Sequence, residues 1–488
     1  MNRRQFTAGT LAVLAGLVNE TKGTNAFGQS GSGSLITDEK SVRHQVLPNG
    51  RPNEDQRAFS STAVEDAIVE VKRKIQNPKL ALLFENCYPN TLDTTVKLSE
   101  RNGKPDTFII TGDIPAMWLR DSTAQVLPYM RFAPKDDKLQ ILFKGLIHRQ
   151  ADCILLDSYA NAFYSTSRKG SFATDLTEMR PGVHERKWEI DSLCYPIQLA
   201  YQYWRTTGDA EPLDENWHQA ARRIVATFQE QQRLKNDGPY RFQRLTTMFY
   251  DNAPNRGLGN PTRKIGLLHS AFRPSDDACL FPFLIPSNIF AATSLRHLQQ
   301  LSVTVFRDQD LAGDAERLAD QLHAAIEKHA VVDYAGYGRI YAFEIDGFGN
   351  SLMMDDANAP SLLSLPYLGC CEIEDPVYER TRAFALSTDN PNFFRGVAEG
   401  IGGPHVGPGM IWPLSIIMRA LTSRDSSEIA HCLRMLMDTN AGTGFMHESF
   451  DANDPSIYTR PWFAWCNSLF GDLVVRVAAA HPEVLARA

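Results

Sequence analysis

The chain has 488 residues, 43% hydrophobic and 22% charged, an ordinary globular composition long enough to bury a large core. Its formal charge of −7 at neutral pH is a mild acidic excess spread along the sequence. That excess argues against a nucleic-acid or anionic-membrane partner and fits a neutral substrate.

At the N-terminus, Arg3 and Arg4 in Asn2-Arg3-Arg4-Gln5-Phe6-Thr7 precede an apolar run from Ala8 to Val18. The run is too short to span a bilayer. Residues 1–28 are therefore expected to be a twin-arginine-type export signal, and the protein to be periplasmic or secreted. A frayed apolar tail would give no reason for paired arginines ahead of the run. Residues 29–60, rich in Gly, Ser, Thr and Asn, read as a flexible linker or arm. Residues 61–488 read as a single catalytic domain. No other stretch is long and apolar enough for a membrane span.

After residue 60 the sequence is dense in helical periodicity. Leu193, Ile197, Ala200, Tyr201 and Trp204 mark one face of a helix that Asp191 or Ser192 can cap and Gly208 can end. Trp217, Ala220, Ala221, Ile224, Val225 and Phe228 mark another, and Leu311, Ala315, Leu318, Ala319, Leu322, Ala325 and Ile326 a third. Further helices are predicted near 64–76, 137–158, 286–301, 411–422, 426–438 and 462–480. Strand alternation is scarce, with short extended pieces expected around 107–111 and 339–344. Long connections at 106–123, 234–280, 341–369 and 440–461 combine Gly, Pro, Trp and carboxylates, and such loops usually carry function. The eight cysteines are scattered without metal-ligand spacing. They are expected to be mostly small buried hydrophobes, with room for one or two disulfides.

Four segments carry groups suited to chemistry. Thr111–Ser122 sets Trp118 among Asp113, Arg120 and Asp121, a stacking face beside hydrogen-bond partners, as a sugar ring requires. The same residues would equally serve as a buried Trp beside a salt-bridged Arg–Asp pair. In Phe272–Ala278, Asp276 and Asp277 follow Pro274 at the expected mouth of a helix. Ser275 or Asp276 could be an N-cap, which leaves the other carboxylate for a cleft. The acidic stretch 344–360 contains Asp355 and Asn358. It could bind Ca²⁺ or sugar hydroxyls, or form a turn before a capped helix, and it does not match an EF-hand loop. Glu448 lies in the Gly-rich stretch 442–450, ahead of Arg460 and the aromatic stretch 462–465. It is placed to be a general base or a loop partner of Arg460.

His-Glu-x-x-His, Cys-x-x-Cys, phosphate-loop, dinucleotide and Gly-x-Ser-x-Gly patterns are all missing from the sequence, so the corresponding enzyme classes lose support. Loop carboxylates with abundant Trp and Tyr remain. That is the equipment of glycoside hydrolysis, in which one acid protonates the leaving oxygen and a second carboxylate activates water or attacks carbon.

In Thr111–Ser122, Glu189–Pro196, Phe272–Asp277 with Leu284–Asn288, Asp346–Pro360 and His447–Phe450 with Trp462–Gly471, the sequence resembles glycoside hydrolase family 125, the exo-α-1,6-mannosidases. These stretches span about 80 to 475. The resemblance implies an all-α (α/α)6 barrel, or toroid, with long loops forming a pocket at one end. It implies hydrolysis of terminal α-linked mannose in oligosaccharides or N-glycan fragments, with inversion and with neither metal nor cofactor. Its general acid would be Asp276 or Asp277, with a lean to Asp276, and its base Glu448. Trp118, Arg120 and Asp121 would line the mannose pocket, with Asp113, Asp355 and Asn358 as further candidates. A monomer is expected. Inversion needs room for a water, which sets the two carboxyl groups roughly 6.5–9.5 Å apart. Rival readings are a glucoamylase- or trehalase-like hydrolase on the same barrel, and a secreted glycan-binding protein without need of Glu448.

Overall fold

Asp136, Asp214 and Asp308 each accept a hydrogen bond from a backbone N–H in the first turn of the helix they precede, at 3.0 Å from Lys138, 2.9 Å from Trp217 and 3.0 Å from Leu311. These caps start helices Asp137–Leu156, Glu215–Gln231 and Gln309–His329. The computed structural model describes residues 47–486. The expected export signal and the linker before Leu47 lie outside the described residues. The chain from Val46 onward forms one compact unit.

The helices alternate between inner and outer positions. Leu119–Val126, Asp191–Thr207 and Ile285–Leu301 pack side by side, and Ala464–Ala480 packs against both Leu119–Val126 and Pro413–Leu421. These inner helices are buried nearly all round: every residue of Leu119–Val126 is buried. Outer helices follow them in the chain at Asp137–Leu156, Glu215–Gln231, Gln309–His329 and Ser426–Asp438. They bury one stripe, such as Leu311, Ala315, Leu318 and Leu322, and show a polar face to water. Pro78–Cys87 packs against the final inner helix from outside. The turn-rich stretch 361–369, followed by helix Pro376–Ala385, takes the place of the fourth pair. The result is the all-α, (α/α)6 arrangement.

Short antiparallel strands tie the loops at one end of the inner helices. Met117–Trp118 pairs with Ala162–Phe163, which pairs with Val183–Glu185. Phe283–Leu284 pairs with Glu344–Ile345, and Met410–Ile411 with Ser449–Asp451. Met117–Trp118, Phe283–Leu284 and Met410–Ile411 each end within one residue of an inner helix, so the loops converge on the helix N-termini.

The structure departs from the sequence reading in four places. Residues 47–60, expected to be flexible linker, are packed onto the body: Leu47 and Phe59 are buried, and Arg51 is paired with Glu65 and Asp93 at 2.6 and 2.9 Å. The first predicted helix stops at Lys72, because the next helix starts at Pro78 under an Asn77 cap. Asp191 and Ser192 do not cap their helix; Ile190 is the N-cap and the Asp191 carboxylate turns to Arg120. No helix begins at Ser275 or Asp276; the segment is a tight turn, and the next inner helix starts at Ile285. Gly208 does end its helix, at φ 73°. All eight cysteines are unpaired, six of them buried.

Candidate active site

Trp118, Trp412 and Phe463 each stand one residue ahead of an inner helix, at its N-cap. Helix direction therefore gathers three aromatic rings at one end of the bundle. They line a pocket together with Thr111, Ile114, Arg120, Asp121, Pro274, Ser275, Asp276, Asn358, His405, Glu448, Arg460 and Trp465. Trp118 Nε1, Trp412 Nε1 and Thr111 Oγ1 are buried and have no hydrogen-bond partner among the described residues. Buried donors without partners are uncommon, and here all three belong to residues that line one pocket. Apolar ring faces with free polar edges suit a ligand that is itself apolar on one face and hydroxylated at its rim.

Glu448 reaches the pocket from the segment after Met446. Its Oε1 lies 3.3 Å from Arg460 Nη1, and Arg460 Nη2 also donates to the Thr111 carbonyl at 3.1 Å and pairs with Asp113. The sequence reading of Glu448 as a partner of Arg460 holds, and the residue also lines the pocket.

Asp276 reaches the pocket from the opposite loop. It sits at the tip of a turn closed by Arg273 N–H donating to the Asp277 carbonyl at 2.7 Å, with Asp276 itself at φ 66°. A left-handed aspartate costs roughly 1 kcal/mol, and surrounding contacts hold it there. Arg273 Nε donates to the buried Glu344 at 2.6 Å, Ser275 Oγ to Asp356 at 3.2 Å, and Lys187 Nζ to the Asp276 carbonyl at 2.7 Å. Asn161 Nδ2 lies 3.2 Å from Asp276 Oδ1. Burial works to raise the Asp276 carboxyl, but Lys187, a hydrogen bond from Glu189, Arg120 and His405 outweigh it and hold it at about 2. Burial pushes Asp121 up to about 6 against the pull of Arg120.

Behind Asp276, Arg120 gathers carboxylates. Its guanidinium lies 2.6 Å from Glu189, 3.1 Å from Asp191, 3.4 Å from Asp121 and 3.7 Å from Asp276. Arg120 is thus an organiser of acidic groups as well as a pocket wall.

Among the residues singled out in the sequence, Trp118, Arg120, Asp121, Asp276, Asn358 and Glu448 meet at the pocket. Asp277, Asp113 and Asp355 do not line it. Asp277 is buried and accepts from or pairs with His405 Nδ1 at 2.9 Å. Burial works against the His405 cation, but Asp277, Asp276 and Glu448 outweigh it and raise the imidazole to about 9. Asp113 is exposed and reaches the site only through Arg460. Asp355 is fully buried, its oxygens accepting from Leu362 and Leu363 N–H at 2.8 and 2.9 Å. Among the described residues no group of three or more His, Cys, Asp or Glu is placed to hold a metal ion. Asn161, His405 and Trp412 lie outside every motif read from the sequence. The one signal for the last two is the run Gly402–Gly409, rich in Gly and Pro, shortly before a helix.

Loop carboxylates beside tryptophans at the N-caps of inner helices, at one pocket of an alternating helical toroid, are the equipment of a glycoside hydrolase. The chain matches the family model described as metal-independent α-mannosidase (GH125) over residues 77–475, and it belongs to that family. It is 41% identical over 459 residues to the Meiotically up-regulated gene 157 protein of Schizosaccharomyces pombe, covering 90% of each chain. It is 42% identical to a metal-independent α-mannosidase of Streptococcus pneumoniae solved in a non-productive complex with α-1,6-mannobiose. That match has a TM-score of 0.83 and covers 86% of this chain and 99% of the other. A bacterial glucoamylase complexed with acarbose shares the fold at 12% identity and a TM-score of 0.51, over 86% of this chain and 59% of the other.

Proposed function

We propose that this protein is an exo-acting α-mannosidase that releases terminal α-1,6-linked mannose with inversion, using Asp276 as general acid and Glu448 as general base. The observation that carries the reading is that Asp276 and Glu448 open on one pocket from different loops, between unpartnered tryptophan and threonine donors. The α-1,6-mannobiose bound by the Streptococcus pneumoniae relative supports the linkage.

In this mechanism the Glu448 carboxylate, 3.3 Å from Arg460, takes a proton from a water on the β face of the sugar. The water oxygen bonds to C1 as the C1–O bond breaks, its electron pair stays on the leaving oxygen, and Asp276 protonates that oxygen. The product is β-mannose. Arg120 and Asn161 orient Asp276 from behind.

Proton NMR of the protein with α-1,6-mannobiose in EDTA tests the reading. β-Mannose as the first product supports it; α-mannose first overturns inversion, and no mannose overturns the linkage. We also propose that the N-terminal pattern directs twin-arginine export to the periplasm or the medium. Replacing Arg3 and Arg4 by Lys should then leave the enzyme in the cytoplasm of a bacterium with that pathway, and unchanged export would overturn this.

A further inference from the structure

Although burial works to raise the Asp276 carboxyl, Lys187, Glu189, Arg120 and His405 hold it below its ordinary value, which opposes the protonated form that a general acid needs. The proton it needs must be stored nearby. Building on the mannosidase reading, we propose that Glu189 is the store: Glu189 and Asp276 share one proton behind the pocket, and Glu189 passes it to Asp276 when the sugar is seated.

Glu189 has no exposed surface and does not line the pocket. It shares two partners with Asp276: Arg120, at 2.6 Å from Glu189 and 3.7 Å from Asp276, and the Asn161 amide. Its Oε2 is committed to Arg120 Nη1 at 2.6 Å and to Ser192 Oγ at 3.0 Å. Its Oε1 is 3.3 Å from Asn161 Nδ2, which also faces Asp276 Oδ1 at 3.2 Å and Glu185 Oε2 at 3.1 Å. A single amide NH2 has two protons and cannot serve three carboxylate oxygens.

The charges close the argument. Arg120 faces Asp121, Glu189, Asp191 and Asp276. Lys187, the other cation beside Asp276, is shared with Asp251 at 2.5 Å and Glu185 at 3.8 Å; Arg244 is spent on Asp175, Glu185 and Asp251. His184 is held neutral by burial, and His405 pairs with Asp277. A buried excess of carboxylates resolves itself by keeping a proton. Burial raises Glu189 well above the usual range, with Asp276 and Asp191 adding to it against Arg120. With no sugar bound, the proton therefore rests on Glu189.

During turnover the proton leaves Glu189 for Asp276, and Asp276 gives it to the glycosidic oxygen as the C1–O bond breaks. Both carboxylates are then ionised. The water has given its proton to Glu448, which releases it to solvent, and the pair takes one back through Asp276, whose side chain is 25% exposed. Glu189 touches neither sugar nor water and is a positioning residue.

Glu189→Gln tests this, because the amide N–H can donate to Asp276 but cannot give a proton away. With α-1,6-mannobiose, kcat should fall about 10²–10⁴-fold, the usual worth of general acid catalysis. With 2,4-dinitrophenyl α-mannoside, whose leaving group needs no proton, the fall should stay within about tenfold. The basic limb of the wild-type kcat/KM profile should also move. Equal losses on both substrates with an unmoved limb would overturn the proposal. If Glu189→Gln does not fold, Glu189→Asp keeps the carboxyl at a greater distance: its basic limb should shift, and an unshifted limb would overturn the proposal. Wild-type protein inert on both mannosides would instead sink the mannosidase reading, and this inference with it.

Discussion

Arg460 Nη1 lies 3.3 Å from Glu448 Oε1 while the same guanidinium pairs with Asp113 and the Thr111 carbonyl. Glu448 is thereby tied to the loop that carries Trp118. Glu448→Gln keeps the shape and removes the charge. Turnover of α-1,6-mannobiose should fall about 10²–10⁴-fold, while binding measured by calorimetry persists. Unchanged turnover would remove Glu448 from the chemistry.

Asp276 and Asp277 are adjacent in sequence but face different partners, so their asparagine variants should differ in kind. Asp276→Asn should lower kcat on mannobiose by about 10²-fold or more with little change in melting temperature. Asp277→Asn should act through His405, costing about 1–3 kcal/mol of stability as the buried ionic hydrogen bond is lost. Kinetics and urea unfolding of both variants separate the two roles; the reverse pattern would make Asp277 the acid.

The His405–Asp277 pair sets a stability window in pH. His405 is raised to about 9 in the folded protein, above its unfolded value near 6.5. The imidazolium's contribution is therefore full below about pH 6.5 and is lost as pH rises through about 9. His405 is partly exposed, so screening reduces the effect. Melting temperatures at pH 6 and pH 9.5 should converge for wild type and His405→Gln at the higher pH. A constant gap would contradict the pairing.

Trp118 and Trp412 line the pocket, and their buried Nε1 donors have no partner among the described residues. Replacing either by Phe keeps an apolar ring and removes the donor. The loss of one hydrogen bond, roughly 0.5–1.5 kcal/mol, should raise KM about 2- to 12-fold with a smaller effect on kcat. An unchanged KM for both variants would mean the donors do not meet the sugar.

Arg51 neutralises Asp93, which burial raises above the usual carboxylate range. Arg51→Ala leaves that carboxylate buried with one cation fewer, and denaturant unfolding should show a loss of about 3–5 kcal/mol. A loss near zero would mean that residues 47–60 add nothing to the fold.

Much of the helical frame was legible in the sequence because it depends on local pattern. The Leu311–Ile326 stripe, Gly208 as a stop and the two-residue accuracy at 137–156 follow from periodicity and capping, which act within one or two turns. The long loops were also legible as places of function, since Gly, Pro, Trp and carboxylates gathered there. Local capping logic failed at Asp191 and at Asp276. A carboxylate that could cap a helix also pairs with a cation from elsewhere, and Arg120 lies about 70 residues before Asp191.

The sequence by itself determined the helical periods, the loops that carry chemistry, and Asp276, Asp277 and Glu448 as the candidate acids and base. Only the tertiary structure decided which of those carboxylates share a pocket. It set Asp355 and Asp277 inside the protein with other partners, brought Asn161 to Asp276, set Glu189 and Asp276 around Arg120, and packed residues 47–60 on the body. The reason is physical: capping and amphipathic burial are short-ranged along the chain, whereas burial and charge pairing depend on which distant segments meet.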